Sequence, residues 1–428
     1  MAKAIKLEHI TKIEGHATLT LAVDKGEVKK CELGSFEGSR YFEGILKGRR
    51  IYEAPEITSR ICGICSTIHY LTSTQAVENA LGLKPTLQTM MLRELMVLGE
   101  RIRSHAAHLY FLALPDYLGA ESALALGPKY KNDVARALKL TKLGNELVST
   151  VGGRALHPVS AQPGGMLKIP SQDQIDDLRR RLQDAQADAI ATGKLFSKLK
   201  NPKFENETEY FSLSDGSTVA TLYGDLVSQS HKFKKDEYLK YLEEYHEPYS
   251  TANFVLKKDK PIMVGSMARL NNNYRFLSKN AKKIVNDSKH KFPLINPFLN
   301  NFAQAVELVH SVDRAVEISR KLKVKEEKPV DMKGFKFKKA RGIGVGEAPR
   351  GTLVHDYEVN EKGLITKANI ITPTAYNLLN MQEDIRAFLP SVLKLPEKKI
   401  VMEIEKLIRA YDPCFSCSSH FLRVNWEK

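Results

Sequence analysis

Two Cys-x-x-Cys pairs stand near opposite ends of this 428-residue chain: Cys62 and Cys65 in "RICGIC", Cys414 and Cys417 in "DPCFSC". At this spacing one short turn aims both sulfurs of a pair at a single ion. Four thiolates suit zinc, an iron–sulfur cluster or a soft-leaning transition metal such as nickel. Zinc ribbons and knuckles keep their two pairs within about 15–20 residues of each other, whereas here nearly the whole chain intervenes. A structural zinc stapling the chain is one reading. A catalytic metal held where the two ends converge is the other, and the stronger. Imidazoles flank both pairs, with His69 expected in the first turn of the helix after Cys65 and His420 just past Cys417. The fifth cysteine, Cys31, stands alone in a β pattern and reads as a packed core residue.

The elements that must position these residues follow from periodicity. "HATLTLAV" (16–23) alternates, "DKG" turns and "EVKKCELGSF" (27–36) returns, which predicts a hairpin. A helix from 67 ends on Gly82. A long helix is expected over 85–114, opened by Pro85 and stopped by Pro115, with Leu87, Met91, Leu95, Leu98 and Ile102 on one face. Helices follow over 129–151 and 171–200, the second with a capping box of Ser171 and Gln174, and another from Pro297 to about Leu322. A second hairpin, 351–359 with 364–372, precedes two helices over 376–390 and 396–410 that lead into the last cysteines. Neither repeats nor a low-complexity linker interrupt the pattern. The expected fold is α+β and mainly helical, a single large domain over 1–420 with long core helices and small peripheral β-sheets.

Apolar residues at 43 % and charged residues at 27 % exclude a disordered chain. No stretch reaches the roughly 18 apolar residues that a membrane span needs, and the N-terminus lacks a secretory pattern. Five cysteines do not make a disulfide scaffold, so the expected location is a reducing cytoplasm. The net charge is +15, with lysines dense between 197 and 342. They alternate with acids and form no arginine-rich or aromatic-interleaved track. That reads as a solvated surface, or a face for an acidic partner subunit, and not as a nucleic-acid track.

Taken with the segments around them, the cysteine pairs resemble those of the large subunit of nickel–iron hydrogenases, and the resemblance covers essentially the whole chain. "KIEGH" (12–16) is similar to the family's Arg-x-Glu-Gly-His start, with Lys12 in place of arginine. "RYFEGILKGR" (40–49), "EAPRGTLVH" (347–355) and "TPTAYN" (372–377) are similar to three further blocks, in family order. The resemblance implies nickel among four thiolates, Cys62 and Cys414 terminal, Cys65 and Cys417 bridging to an iron that carries one CO and two cyanides. It implies hydrogen bonds to cyanide from Arg350 and Thr374, and an apolar wall of Leu353 and Pro373 for CO, with His69 beside the metal-bound atoms. It also implies a Mg2+ or Fe2+ ion near the C-terminus, held by Glu43 and His420. The implied activity is reversible, heterolytic cleavage of dihydrogen to protons and electrons. Cys414 is favoured over Arg350 as proton acceptor, because the pKa of a guanidinium exceeds about 12, with Glu14 as the next relay.

One departure bears on the subgroup. Where many members carry an aspartate in a helical Asp-His-x-x-His-Phe-Tyr motif, this chain has "SHAAHLY", with Ser104 at that position. Together with "LYFLALPDYLG", this is similar to the cytosolic, cofactor-coupled group. The implied partners are a small subunit carrying iron–sulfur clusters and a flavin/iron–sulfur reductase subunit using NAD(P) or deazaflavin. A maturation chaperone and an endopeptidase that removes residues 421–428 are implied as well. With four of five cysteines committed, the chain has no ligands for an iron–sulfur relay of its own. Two other readings remain: a zinc-stapled structural subunit of an electron-transfer complex, and a non-catalytic relative like a respiratory complex I subunit, which would lack the cysteines.

Overall fold

The chain opens as a three-stranded antiparallel sheet, β1 (Lys3–Leu7), β2 (Ala17–Asp24) and β3 (Glu27–Ser35). The computed structural model describes residues 3–38, 41–258 and 260–419, so His420 and the expected tail lie outside the described residues. Leu19, Leu21 and Val23 alternate inward on β2, and β3 returns Cys31 and Leu33 to the same core. Burial pushes the Cys31 thiol up to about 12, which suits an inert core sulfur.

Helices then make the body: α1 (Ser66–Leu81), α2 (Leu87–Ala107), α3 (Lys131–Gly152), α4 (Gln172–Phe196), α5 (Ser266–Asn273) and α6 (Asn300–Lys321). Helix α1 ends on a left-handed Gly82, and α4 begins with the capping box of Ser171 and Gln174. Helices α2 and α3 pack together, as do α4 and α6, and α6 crosses α2. Leu95, Leu98 and Ile102 of α2 are buried, but Leu87, the first residue of the helix, is 72 % exposed. Nor does the helix stop at Pro115. Its ladder slips into a π-type turn over His108–Ala113 and resumes as a short helix, Leu114–Leu118, ending on Gly119. Pro115 lies in the first turn of that helix, where no N–H is needed.

The second sheet has three strands where the sequence predicts a hairpin: β4 (Ala340–Ala348), β5 (Gly351–Val359) and β6 (Ile365–Ile371), paired antiparallel in that order. Strand β4 escapes a periodicity search because Gly342, Gly344 and Gly346 occupy its alternate positions. Those glycines let the strand backbone lie directly on α1: a Cβ on Gly344 would stand 2.0 Å from the Thr72 carbonyl oxygen. Helices α7 (Pro373–Val392) and α8 (Glu397–Ala410) complete the body. One apolar core takes in residues from Ile5 to Cys417, the four paired cysteines included. Among the described residues no helix is long and apolar enough to cross a membrane.

Candidate metal centre

Each cysteine pair sits where an element begins. A tight turn, Ser59–Ile61, delivers Cys62, whose sulfur accepts from the Ile64 N–H at 3.3 Å, and Cys65 caps α1. Cys414 caps a single helical turn, Phe415–Ser418, that carries Cys417. The chain ends converge: Cys62 Sγ lies 3.5 Å from Cys414 Sγ, Cys65 Sγ 3.2 Å from Cys417 Sγ, and Cys414 Sγ 2.7 Å from Cys417 Sγ. All four sulfurs are buried and fall within 4.8 Å of one another, the only such four-residue group of ligand-type side chains found among the described residues. Hydrogen bonds from Cys414, Cys417 and Cys65 hold the Cys62 thiol well below its ordinary range, while burial pushes Cys414 and Cys417 far above it. Four thiols thus share a limited negative charge, and a cation would allow all of them to ionise.

Two loops from distant sequence close over this group. The Cys414 S–H donates to Glu14 Oε2 at 2.9 Å, and the Ser416 hydroxyl donates to the other oxygen of the same carboxylate. Burial, then the charge on Cys62, raises the Glu14 pKa. The loop bearing Glu14 is anchored behind it: Arg409 donates to the Thr11 carbonyl at 2.8 Å and to Asp116 at 2.9 Å, and Lys12 pairs with the same aspartate. From the β4–β5 turn, Arg350 donates through one Nη to Asp412 Oδ1 at 2.9 Å. Its Nε and other Nη are buried without a hydrogen-bond partner among the described residues. Although burial alone would pull it down, the pKa of Arg350 is held well above its ordinary value by Asp412 and the thiolates.

The remaining expected residues divide by location. The Thr374 hydroxyl oxygen accepts the Cys414 N–H at 2.8 Å, and Pro373 precedes it, buried, at the start of α7. Leu353 is wholly buried on β5. His69, buried on α1, meets His355 Nε2 through its Nδ1 at 3.1 Å, and His355 reaches Tyr357 at 2.5 Å. Glu43 sits in the first turn of a short helix, Phe42–Leu46, and accepts the Ile370 N–H at 2.7 Å. Ser104 is buried, its hydroxyl unpartnered among the described residues, so the carboxylate that holds Arg350 comes from Asp412 and not from α2.

Sequence reasoning gave no site role to Glu100, Asp412 or the buried charges Arg269, Glu307 and Glu347. Asp412 adjoins the last pair and Glu347 opens the "EAPRG" block, so both had a local signal. Glu100 had none, yet it accepts the Thr67 and Ile68 N–H groups at 2.7 and 3.2 Å and so satisfies the start of α1 just past Cys65.

This fold, closed around four buried thiols from both ends of the chain, defines a nickel-dependent hydrogenase, and the chain belongs to that family: its profile, described as "Nickel-dependent hydrogenase", matches residues 40–148 and 215–420. Among characterised relatives, the chain is 35 % identical over 428 residues to the alpha chain of sulfhydrogenase 1 from Pyrococcus furiosus, covering 98 % of each. It is 32 % identical over 457 residues to an F420-non-reducing hydrogenase chain of Methanothermobacter thermautotrophicus, covering 97 % of this chain and 94 % of the other. The crystal structure of an NAD+-reducing [NiFe]-hydrogenase in the H2-reduced state superposes with a TM-score of 0.86 at 26 % identity, over 98 % and 99 % of the two chains. A [NiFeSe]-hydrogenase of Dm. baculatum shares the fold at 22 % identity, with a TM-score of 0.79 over 98 % of this chain and 100 % of the other. The chain is therefore the catalytic subunit of a nickel–iron hydrogenase, an oxidoreductase, and the zinc-stapled structural reading finds no support.

Proposed function

We propose that the four thiolates would hold a nickel–iron group, Cys62 and Cys414 through nickel alone and Cys65 and Cys417 through both metals, with one CO and two cyanides on the iron. The observation that carries this reading is the gathering of four buried sulfurs within 4.8 Å. The surroundings fit the group. Soft thiolates suit nickel, and the two unpartnered nitrogens of Arg350 face no competing acceptor among the described residues. The Thr374 hydroxyl keeps its own proton to donate, and Leu353 and Pro373 supply apolar surface. When bound, the nickel–iron group supplies the site at which dihydrogen is split into protons and two electrons.

The residues of this chain then manage the proton. The Cys414 sulfur takes it and hands it to Glu14 across a single hydrogen bond. The elevated pKa of Glu14 lets it hold that proton, and Ser416 fixes the rotamer of the carboxylate. Arg350 remains a cation, steadied by Asp412, and orients the iron's ligands. His69, tied to His355, keeps its ring in one orientation on the helix that follows Cys65. Glu43 and His420 would hold Mg2+ or Fe2+, hard ions that suit a carboxylate and an imidazole.

Electrons leave through a small subunit with iron–sulfur clusters and reach a flavin-containing reductase subunit. NAD(P) is favoured over deazaflavin as acceptor by the NAD+-reducing neighbour and by relatives named F420-non-reducing. Residues 1–420 act as one catalytic domain in the cytoplasm; a maturation chaperone attends the precursor, and an endopeptidase removes residues 421–428 after nickel insertion. Elemental analysis with infrared spectroscopy of the purified complex tests the centre. Nickel and iron with CO and cyanide bands are expected; zinc alone overturns the reading. Intact mass tests the tail, since an active chain that retains Trp426 excludes cleavage.

A further inference from the structure

A second polar cluster, wholly buried, is used by no step above. Arg269 on α5 is at its centre, with no exposed surface. Its Nε donates to Glu307 Oε1 at 2.6 Å and one Nη to Glu347 Oε2 at 2.8 Å. A second Nη bond reaches Glu307 Oε2 at 2.8 Å and a weaker one Ser266 Oγ at 3.2 Å, and two further bonds go to backbone: Arg269 donates to the Ala348 carbonyl at 2.9 Å and to the Pro349 carbonyl at 2.8 Å. Those are the two peptide units immediately before Arg350. Glu307 on α6 is fixed in turn by the Ser266 hydroxyl at 2.6 Å and by His105 on α2 at 3.0 Å. Glu347 accepts from the Leu213 N–H at 2.7 Å and the Thr352 hydroxyl at 2.8 Å.

The backbone repeats the contact. Gly265, at the start of α5, has φ +115, and a Cβ there would lie 3.2 Å from the Arg350 carbonyl oxygen. Helix α5 and the Arg350 turn therefore touch with no side chain between them. Such a concentration of buried charge is an expensive way to stabilise a core, since well-packed apolar residues commonly do as well. What a planar, multidentate guanidinium adds is geometry: it fixes carbonyl oxygens in direction as well as distance.

We propose that Arg269 is the positioning residue for Arg350: clamped by Glu307 and Glu347, it grips the Ala348 and Pro349 carbonyls and thereby sets where the Arg350 guanidinium stands over the thiols. This matters more in this chain than where α2 carries an aspartate, because among the described residues Ser104 gives Arg350 no second anchor and Asp412 alone hydrogen-bonds its side chain. The inference rests on the proposed role of Arg350 at the nickel–iron centre.

The test compares Arg269→Lys, Gly265→Ala and Arg350→Lys in the purified holoenzyme complex. Four quantities are read: turnover with an artificial dye, nickel and iron per chain, the cyanide infrared bands, and hydrogen exchange at residues 348–352. Arg269→Lys removes the fork while keeping charge; Gly265→Ala pushes the turn and leaves every charged side chain in the sequence unchanged, and decides the matter if the first variant does not fold. The expected result is retained metal with turnover lowered about a hundredfold, since a displacement of order 1 Å carries that penalty. Shifted cyanide bands and faster exchange confined to the turn should accompany it. Turnover lost in Arg350→Lys, but unchanged with unshifted bands in the folded, metal-loaded clamp variants, overturns the clamp alone. Unchanged turnover in Arg350→Lys itself overturns the reading of Arg350, and the inference with it.

Discussion

Glu14 Oε2 stands 2.9 Å from Cys414 Sγ, and the backbones of the same two residues are bridged, with the Phe415 N–H donating to the Glu14 carbonyl at 3.0 Å. The side-chain contact is therefore not left to two flexible rotamers. Backbone pairing between an N-terminal loop and a C-terminal turn fixes the distance over which a proton would pass.

Replacing Glu14 by Gln keeps that geometry and removes the titratable group. Turnover and hydrogen–deuterium exchange should fall by roughly 10²–10⁴, the usual range for loss of a positioned acid–base group. Nickel and iron content should stay at the wild-type level. A fully active Glu14→Gln enzyme would take Glu14 off the proton path.

Cys65→Ala leaves three sulfurs and deletes one of the proposed bridges. Nickel per chain, measured by elemental mass spectrometry, should drop to background while circular dichroism still reports the helical fold. Cys31→Ala serves as control and should leave nickel unchanged, because that thiol lies in the hairpin core and bonds the Gln382 carbonyl. Equal nickel in both variants would contradict the four-thiolate centre.

Glu100 makes stability depend on pH. Burial pushes its pKa from an ordinary 4.5 up to about 7, against the pull of Arg103 and two backbone N–H groups. Its proton therefore stabilises the fold fully below about 4.5, and that contribution fades as pH rises through about 7. Denaturant unfolding of the metal-free chain between pH 5 and 8 should show wild type losing on the order of 3 kcal/mol relative to Glu100→Gln. Parallel curves for the two proteins would rule out this origin.

Gly344→Ala places a methyl 2.0 Å from the Thr72 carbonyl, so β4 and α1 must separate. Overpacking of this kind costs about 1–3 kcal/mol, which should appear as a lower thermal midpoint. Because α1 begins at Cys65 and β4 ends at the Arg350 turn, the strain also spreads the two sides of the site, and nickel occupancy should fall as well. A variant matching wild type in both measurements would show that the strand relaxes freely.

Much of this was legible in the residues themselves. Alternation found the β2–β3 hairpin, and a capping box found the start of α4, because both are local patterns with local causes. The cysteine pairs announced a metal by type and spacing. The chain did not show β4, because glycine carries no polarity to alternate, nor the continuation past Pro115, because a proline in a first helical turn breaks nothing. Arg269 and Glu307 were equally silent. A charge in an apolar helical stripe reads as solvent-facing until the partner helix is in place, and Glu307 meets Arg269 only in three dimensions.

The nearness of Cys65 to Cys417, 3.2 Å between sulfurs drawn from nearly opposite ends of the chain, also bears on biogenesis. An unfolded polypeptide presents two separate bidentate clips, and joining them means closing a loop of almost the full length, an entropic charge the native topology has already met. Tight capture of the ion thus works as an inspection of the finished architecture. A misassembled copy would remain weakly loaded and distinguishable from a sound one before it is ever asked to turn over.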